Sequence, residues 1–246
     1  MLQLIGYIPI ATTILALAFS WTLFRRWRER GGYHLLWWGV GTLTYAIGTA
    51  TESLVTLTGW SEPLFRTWYI TGALLGGAPL AQGTVYLLLQ RRTAHALTAI
   101  LVTAIGTASL CVLMSPIRFD LVEPHRLTGH VLGWPWVRAF SPFINMYAFL
   151  FLVGGDVLSA FRYAEHPETR AKFVGNVLIA VGALLPGIGG TFTRFGHTEV
   201  LYVTEFIGLL LIFGGYRMIT RGSLRARAPA PLPGATSWPP SPLPGA

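Results

Sequence analysis

Residues 3–30 read QLIGYIPIATTILALAFSWTLFRRWRER. Residues 3–24 carry no charge, and residues 25–30 then bring Arg25, Arg26, Arg28 and Arg30 in quick succession. An uncharged apolar run of about 20 residues is the length a helix needs to cross the hydrocarbon core of a bilayer. A cluster of arginines directly after it marks the side that stays in the cytoplasm. No Lys or Arg precedes the run, and arginines stand where a small-residue cleavage site would be needed, so the segment reads as a retained helix and not a cleaved signal peptide.

The rest of the chain follows the same plan. Of 246 residues 52% are hydrophobic and only 11% charged, with a mean hydropathy of +0.54. A soluble domain carries roughly 25% charged residues to solvate its surface. Seven stretches are long and apolar enough to span, near 3–24, 34–58, 65–89, 95–115, 139–161, 171–192 and 199–219. None shows the two-residue alternation of a barrel strand, so the expected fold is an all-α bundle of seven transmembrane helices.

Basic residues set the orientation. Arg25, Arg26, Arg28, Arg30, Arg91, Arg92, Arg162, Arg170, Lys172, Arg217, Arg221, Arg225 and Arg227 fall on one side. Arg66, Arg118, Arg126, Arg138 and Arg194 fall on the other. The excess predicts an outside N-terminus and an inside C-terminus. Trp21, Trp27, Trp37 and Trp38 at the inner boundary and Trp60, Trp68, Trp134 and Trp136 at the outer one agree with interfacial tryptophan belts. The net charge of +8 is scattered between apolar segments instead of forming a basic face, which excludes nucleic acid as a partner. The expected location is the cell membrane, a bacterial inner membrane in particular, with the lipid bilayer as first partner.

The bundle is expected to occupy residues 1–221. Residues 222–246 then turn Pro-rich, a composition that reads as a disordered cytoplasmic tail. The tail and the inner face are the expected places for a protein partner. Inside the bundle, AIGT at 46 echoes AVGA at 180, WYIT at 68 echoes LYVT at 201, and LFRR at 23 echoes AFRY at 160. Near-constant offsets of this kind suggest a three-plus-one-plus-three parallel repeat. Cys111 stands alone, so no intrachain disulfide is expected.

Residues 60–89, WSEPLFRTWYITGALLGGAPLAQGTVYLLL, resemble a stretch of uncharacterised bacterial seven-helix integral membrane proteins. That resemblance implies the helix count and no activity. The topology is also similar to the seven-helix sensor regions that precede bacterial histidine kinases, with no kinase following here. Other chemistries lack their residues. The only lysine, Lys172, opens the sixth segment, whereas a retinal Schiff base would need one in the seventh. VGGD at 153–156 has no second aspartate in a helix interior for two-carboxylate catalysis. No nucleotide-binding or zinc-protease motif is present. His125 and His130 in the long outer loop are the candidate metal ligands. His34 and His95, at the inner ends of the second and fourth segments, are the candidate haem ligands. Neither pair makes a convincing set, so the chain reads as a non-enzyme, and no cofactor is assigned.

The informative residues are charges at membrane depth. Glu52 and Glu205 each lie about six residues, or roughly 9 Å, below the outer edge of their helices. An isolated charge there costs at least ~2.5 kcal/mol, so such residues face the bundle interior or a wet cavity. The expected site is an outward-opening pocket with Glu52 facing Glu205, walls of Trp68, Tyr69 and Tyr202, and Arg66 or Arg194 as counter-charge. Two acids at one depth could hold a small molecule, an ion or a proton. Asp156, nearer the inner side, is expected to snorkel or to pair with Arg91 or Arg92. Asn145 and Asn176 are expected to join helices structurally. Pro79 and Pro186 are expected to kink the third and sixth helices. The functional readings are a receptor- or sensor-like bundle or scaffold, a small-solute or ion-coupled transporter, and third a lipid- or haem-related enzyme.

Overall fold

The computed structural model describes residues 6–164, 169–193 and 195–225. The Pro-rich tail beyond 225 and Arg194 lie outside the described residues. The described chain is helical, with two isolated β-bridges and no strand. Its helices are α1 Ile8–Arg30, α2 Tyr33–Thr58, α3 Glu62–Trp68, α4 Ala78–Leu88, α5 Arg91–Met114, α6 Phe140–Ala148, α7 Gly154–Ala164, α8 Arg170–Thr193 and α9 Thr198–Arg225. Gly31 and Gly32, at φ 67° and 99°, reverse the chain between α1 and α2 in two residues.

The exterior differs from that of a soluble protein in the number of large apolar side chains it exposes. Trp21 and Phe143 are 71% and 78% exposed, and Ile14, Ile100, Leu110 and Phe161 also point outward. Inside are Thr42, Thr49, Thr51, Glu52, Gln82, Asp156 and Asn176. An apolar exterior around a core that mixes apolar with polar side chains suits a hydrocarbon solvent. Five helical stretches are long and apolar enough to cross a membrane: Ile8–Arg30, Arg91–Met114, Pro135–Ala164, Arg170–Thr193 and Thr198–Gly222. The second expected segment is the 26-residue helix α2, which is not among the five; it carries six threonines and Glu52, of which Thr42, Thr49, Thr51 and Glu52 are buried.

The third expected segment is not one helix. α3 runs into a π-helical turn at Tyr69–Leu74, the chain breaks over Leu75, Gly76 and Gly77, and α4 starts one residue before Pro79. Pro79 therefore opens a helix instead of kinking one, as a residue without N–H can do at no cost. A second π turn, Phe149–Val153, joins α6 to α7 without a break. α8 runs through Pro186 without interruption.

α8 and α9 form a hairpin packed on glycines. Gly175, Gly182 and Gly189 recur every seven residues on α8, as Gly208 and Gly215 do on α9. A methyl group on Gly182 would sit 2.5 Å from the Gly208 carbonyl oxygen, and one on Gly208 would sit 2.6 Å from that of Gly182. Gly175 faces Gly215 in the same reciprocal way, and Gly189 faces Leu201 and Thr204. The backbones touch along a glycine seam, the small-residue packing that membrane helices use in place of a hydrophobic drive.

α2, α3–α4, α6–α7, α8 and α9 surround a central axis. α1 packs on α2 and α9, where Phe19 stacks on Phe213 at 4.6 Å. α5 stands at the edge and buries a single stripe of Ala94, Leu101, Ile105, Ala108 and Val112. The loop after α5 forms a cap over one end of the bundle, the end named outer after the side on which the sequence predicts it. Val131, Leu132 and Val137 are buried in it, Trp60 N donates to Pro124 O at 2.7 Å, and Arg126 donates to Thr193 O at 3.0 Å.

Candidate functional site

The axis holds two cavities, one above the other. The outer cavity, about 650 Å³, lies between α2, the broken α3–α4 segment, α6, α8 and α9. Glu52, Glu205 and Trp68 line it together with Tyr45, Ser141 and Asn145. Glu52 is only 4% exposed. Its Oε1 accepts the indole N–H of Trp68 at 2.9 Å. The Glu52 and Glu205 carboxyl groups meet within hydrogen-bonding reach, and each has a buried Oε2 with no donor. Ionised carboxylate oxygens are acceptors only, so this contact calls for a shared proton or a cation between them. Tyr45 donates its hydroxyl to the backbone carbonyl of Glu205 at 3.2 Å and fixes that turn of α9.

The other expected members take other places. Tyr202 meets the Thr56 side chain close to both acids without lining the cavity. Tyr69 is buried in the apolar cluster with Phe65, Val131 and Val137, with its ring beside Gly129, so it is no wall of the site. Arg66 is not the counter-charge. It pairs with Glu62 at 2.7 Å and donates to the backbone oxygens of Val112 and Ser115, tying α3 to the end of α5. One helical turn C-terminal to Pro63, its guanidinium is drawn to carbonyls that the end of α5 leaves free. No arginine lines the outer cavity among the described residues.

The broken segment supplies polar groups. The π turn leaves Ala73 O free, and Ser141 Oγ and Asn145 Nδ2 donate to it at 3.0 and 3.2 Å. Asn145 thus joins α6 to the third segment, whereas Asn176 bonds Lys172 O in its own helix at 2.7 Å. Gln82, fully buried, donates to Ala94 O and Thr98 Oγ1 and accepts from Tyr147.

The inner cavity, about 610 Å³, was not anticipated. Asp156, 7% exposed, lies in it with Oδ2 free of any donor. It makes no ion pair with Arg91 or Arg92, which do not line the cavity. It does not snorkel to the surface; the cavity that it lines is also walled by Thr84 of α4 and Asn176 of α8. Leu80, Leu152 and Ile212 line both cavities and form the partition between them.

The histidines are engaged separately. His125 Nδ1 lies 3.4 Å from Val55 O, and His130 meets Arg138 at 3.1 Å. His34 packs edge-on against Trp38, while His95 Nδ1 bonds the Tyr86 hydroxyl at 2.8 Å. No cluster of three or more metal-ligating side chains occurs among the described residues. In comparison with known proteins, no family model, curated protein or solved structure matches the chain.

Proposed function

We propose that this is a seven-crossing membrane protein, N-terminus outside and C-terminus inside, that carries a proton or a cation coupled to a small solute. The observation that supports it best is the Glu52–Glu205 contact on the wall of the upper of two stacked cavities. Buried acids that each keep one oxygen without a donor are the kind of group that holds a proton or a cation within a membrane. The lower cavity continues the same axis behind three apolar side chains, Leu80, Leu152 and Ile212, as alternating access from two sides requires. The lipid bilayer is the medium of this reading, in keeping with the resemblance of residues 60–89 to bacterial seven-helix proteins.

A receptor- or sensor-like bundle is the second reading. It is favoured by the cap, whose Arg126 and His125 reach the outer ends of α8 and α2, where an outside signal would arrive. Reconstituted liposomes separate the two. With a pH-sensitive dye inside and an imposed potential, the wild-type chain is expected to conduct protons or to couple a cation gradient to uptake. Glu52→Gln and Glu205→Gln are expected to lower that flux about tenfold or more while the protein stays folded. Flux equal to empty liposomes, with binding retained at the outer cavity, would overturn the carrier and leave the receptor.

A further inference from the structure

The inner cavity has a charge pattern that proton or cation carriage at the outer acids does not use. Asp156 is buried in it without a donor, whereas Arg26, Arg30, Arg162 and Lys172 line the same space. No carboxylate pairs with any of these four cations among the described residues. Arg26 rests over the ring of Tyr216 at 5.8 Å and Lys172 over that of Tyr163 at 5.0 Å, which holds both charges at the cavity wall.

The two signs are arranged in depth. On α7, Asp156 lies in the first turn and Arg162 in the last, six residues or about 9 Å apart along the axis. Asp156 also stands close to the partition residue Leu152, whereas Arg30, at the end of α1, and Arg162 are exposed. The acid is therefore at the floor and the cations are around the mouth. A simple anion would satisfy the mouth and leave the aspartate without a partner next to a like charge. A simple cation would have to pass four positive groups to reach the aspartate. A molecule carrying an ammonium at one end and an oxyanion at the other satisfies both.

We propose that the inner cavity binds an aminoalkyl phosphate, its ammonium donating to Asp156 and its phosphate held by Arg26, Arg30, Arg162 and Lys172. Guanidinium and ammonium groups are the common binders of phosphate oxygens. Three ammonium hydrogens can meet the donorless Oδ2 of Asp156 as well as the hydroxyl of Ser159, one turn further on. Basic pockets between membrane helices on the inner side are suited to phospholipid headgroups. A free aminoalkyl phosphate from the cytoplasm offers the same two charges. Both sources share one chemistry, and neither needs the outer acid pair.

The test uses the full chain purified in detergent. In the lipid arm, equimolar phosphatidylethanolamine and phosphatidylglycerol are added and bound lipid is counted by native mass spectrometry. In the soluble arm, phosphoethanolamine is titrated against thermal unfolding with no phospholipid present. Retention of phosphatidylethanolamine about tenfold above phosphatidylglycerol supports the lipid source, and that preference should fall to parity in Asp156→Asn. A rise in Tm with phosphoethanolamine that inorganic phosphate does not reproduce supports the soluble source. Arg162→Gln, at an exposed site that does not risk folding, should weaken whichever ligand binds by about fivefold. The proposal is overturned by equal retention of the two lipids with no Tm response. It is also overturned by a folded Asp156→Asn protein that binds like the wild type. Loss of outer-cavity flux in Glu52→Gln should leave all these readings unchanged, so the two sites fail separately.

Discussion

The α8–α9 hairpin and the joint between the third segment and α6 hold helices together in opposite ways. In the hairpin, glycines bring two unbroken backbones into contact and few side-chain hydrogen bonds are made between them. Across the cavity, the backbone is broken at Leu75–Gly77, and Ser141, Asn145, Tyr147 and Gln82 make the connection through hydrogen bonds. The first is a dry contact that excludes solvent. The second needs polar groups because a freed carbonyl in a bilayer costs several kcal/mol unless a donor reaches it. The polar joint consequently lies on the wall of the outer cavity, which Ser141 and Asn145 line.

The contrast makes graded predictions for thermal unfolding in detergent. Gly182→Leu should have the largest effect, since its side chain must displace the α9 backbone at Gly208. A loss of about 3 kcal/mol or more is expected, and most of the protein should be recovered unfolded. A well-folded variant would show that the seam is loose. The double change Ser141→Ala with Asn145→Ala removes both donors to Ala73 O and should cost about 2 kcal/mol. No measurable change would mean that water satisfies that carbonyl and that the joint is wet. Gly187→Ala, on the same helix as the seam but facing open space, should shift stability by less than about 0.5 kcal/mol. A large effect there would spread the seam's constraint around the whole of α8.

Much of this architecture is legible in the sequence because membrane helices advertise themselves by length and by missing charge. Glu52 and Glu205 stand out for the same reason, and both line the same cavity. The rest depends on facts that periodicity does not carry. The π turn at Tyr69–Leu74 has an apolar sequence like any helix, so the break next to Gly76 and Gly77 reads as a kink at Pro79 instead. Arg66 has a carboxylate four residues before it and two open carbonyls across from it, which outcompete a distant acid pair for its guanidinium. Asp156 is read as near water because it is near a helix end; only the packing of α4 and α8 around it shows that it is enclosed. The seven-residue glycine spacing that makes the seam is present in the sequence, at 175, 182 and 189 and again at 208 and 215.

That spacing also limits how the hairpin can move. Glycine meets glycine at intervals of seven residues, so the next matching register along the axis is about 10.5 Å away. Any smaller slide would drive Leu178, Leu185 or Leu211 into the opposite backbone. The seam thus acts as a ratchet locked against shear. α8 and α9 can tilt only as one plate, and a tilt of that plate carries Glu205 at one end and the Asn176 wall of the lower cavity at the other in opposite directions.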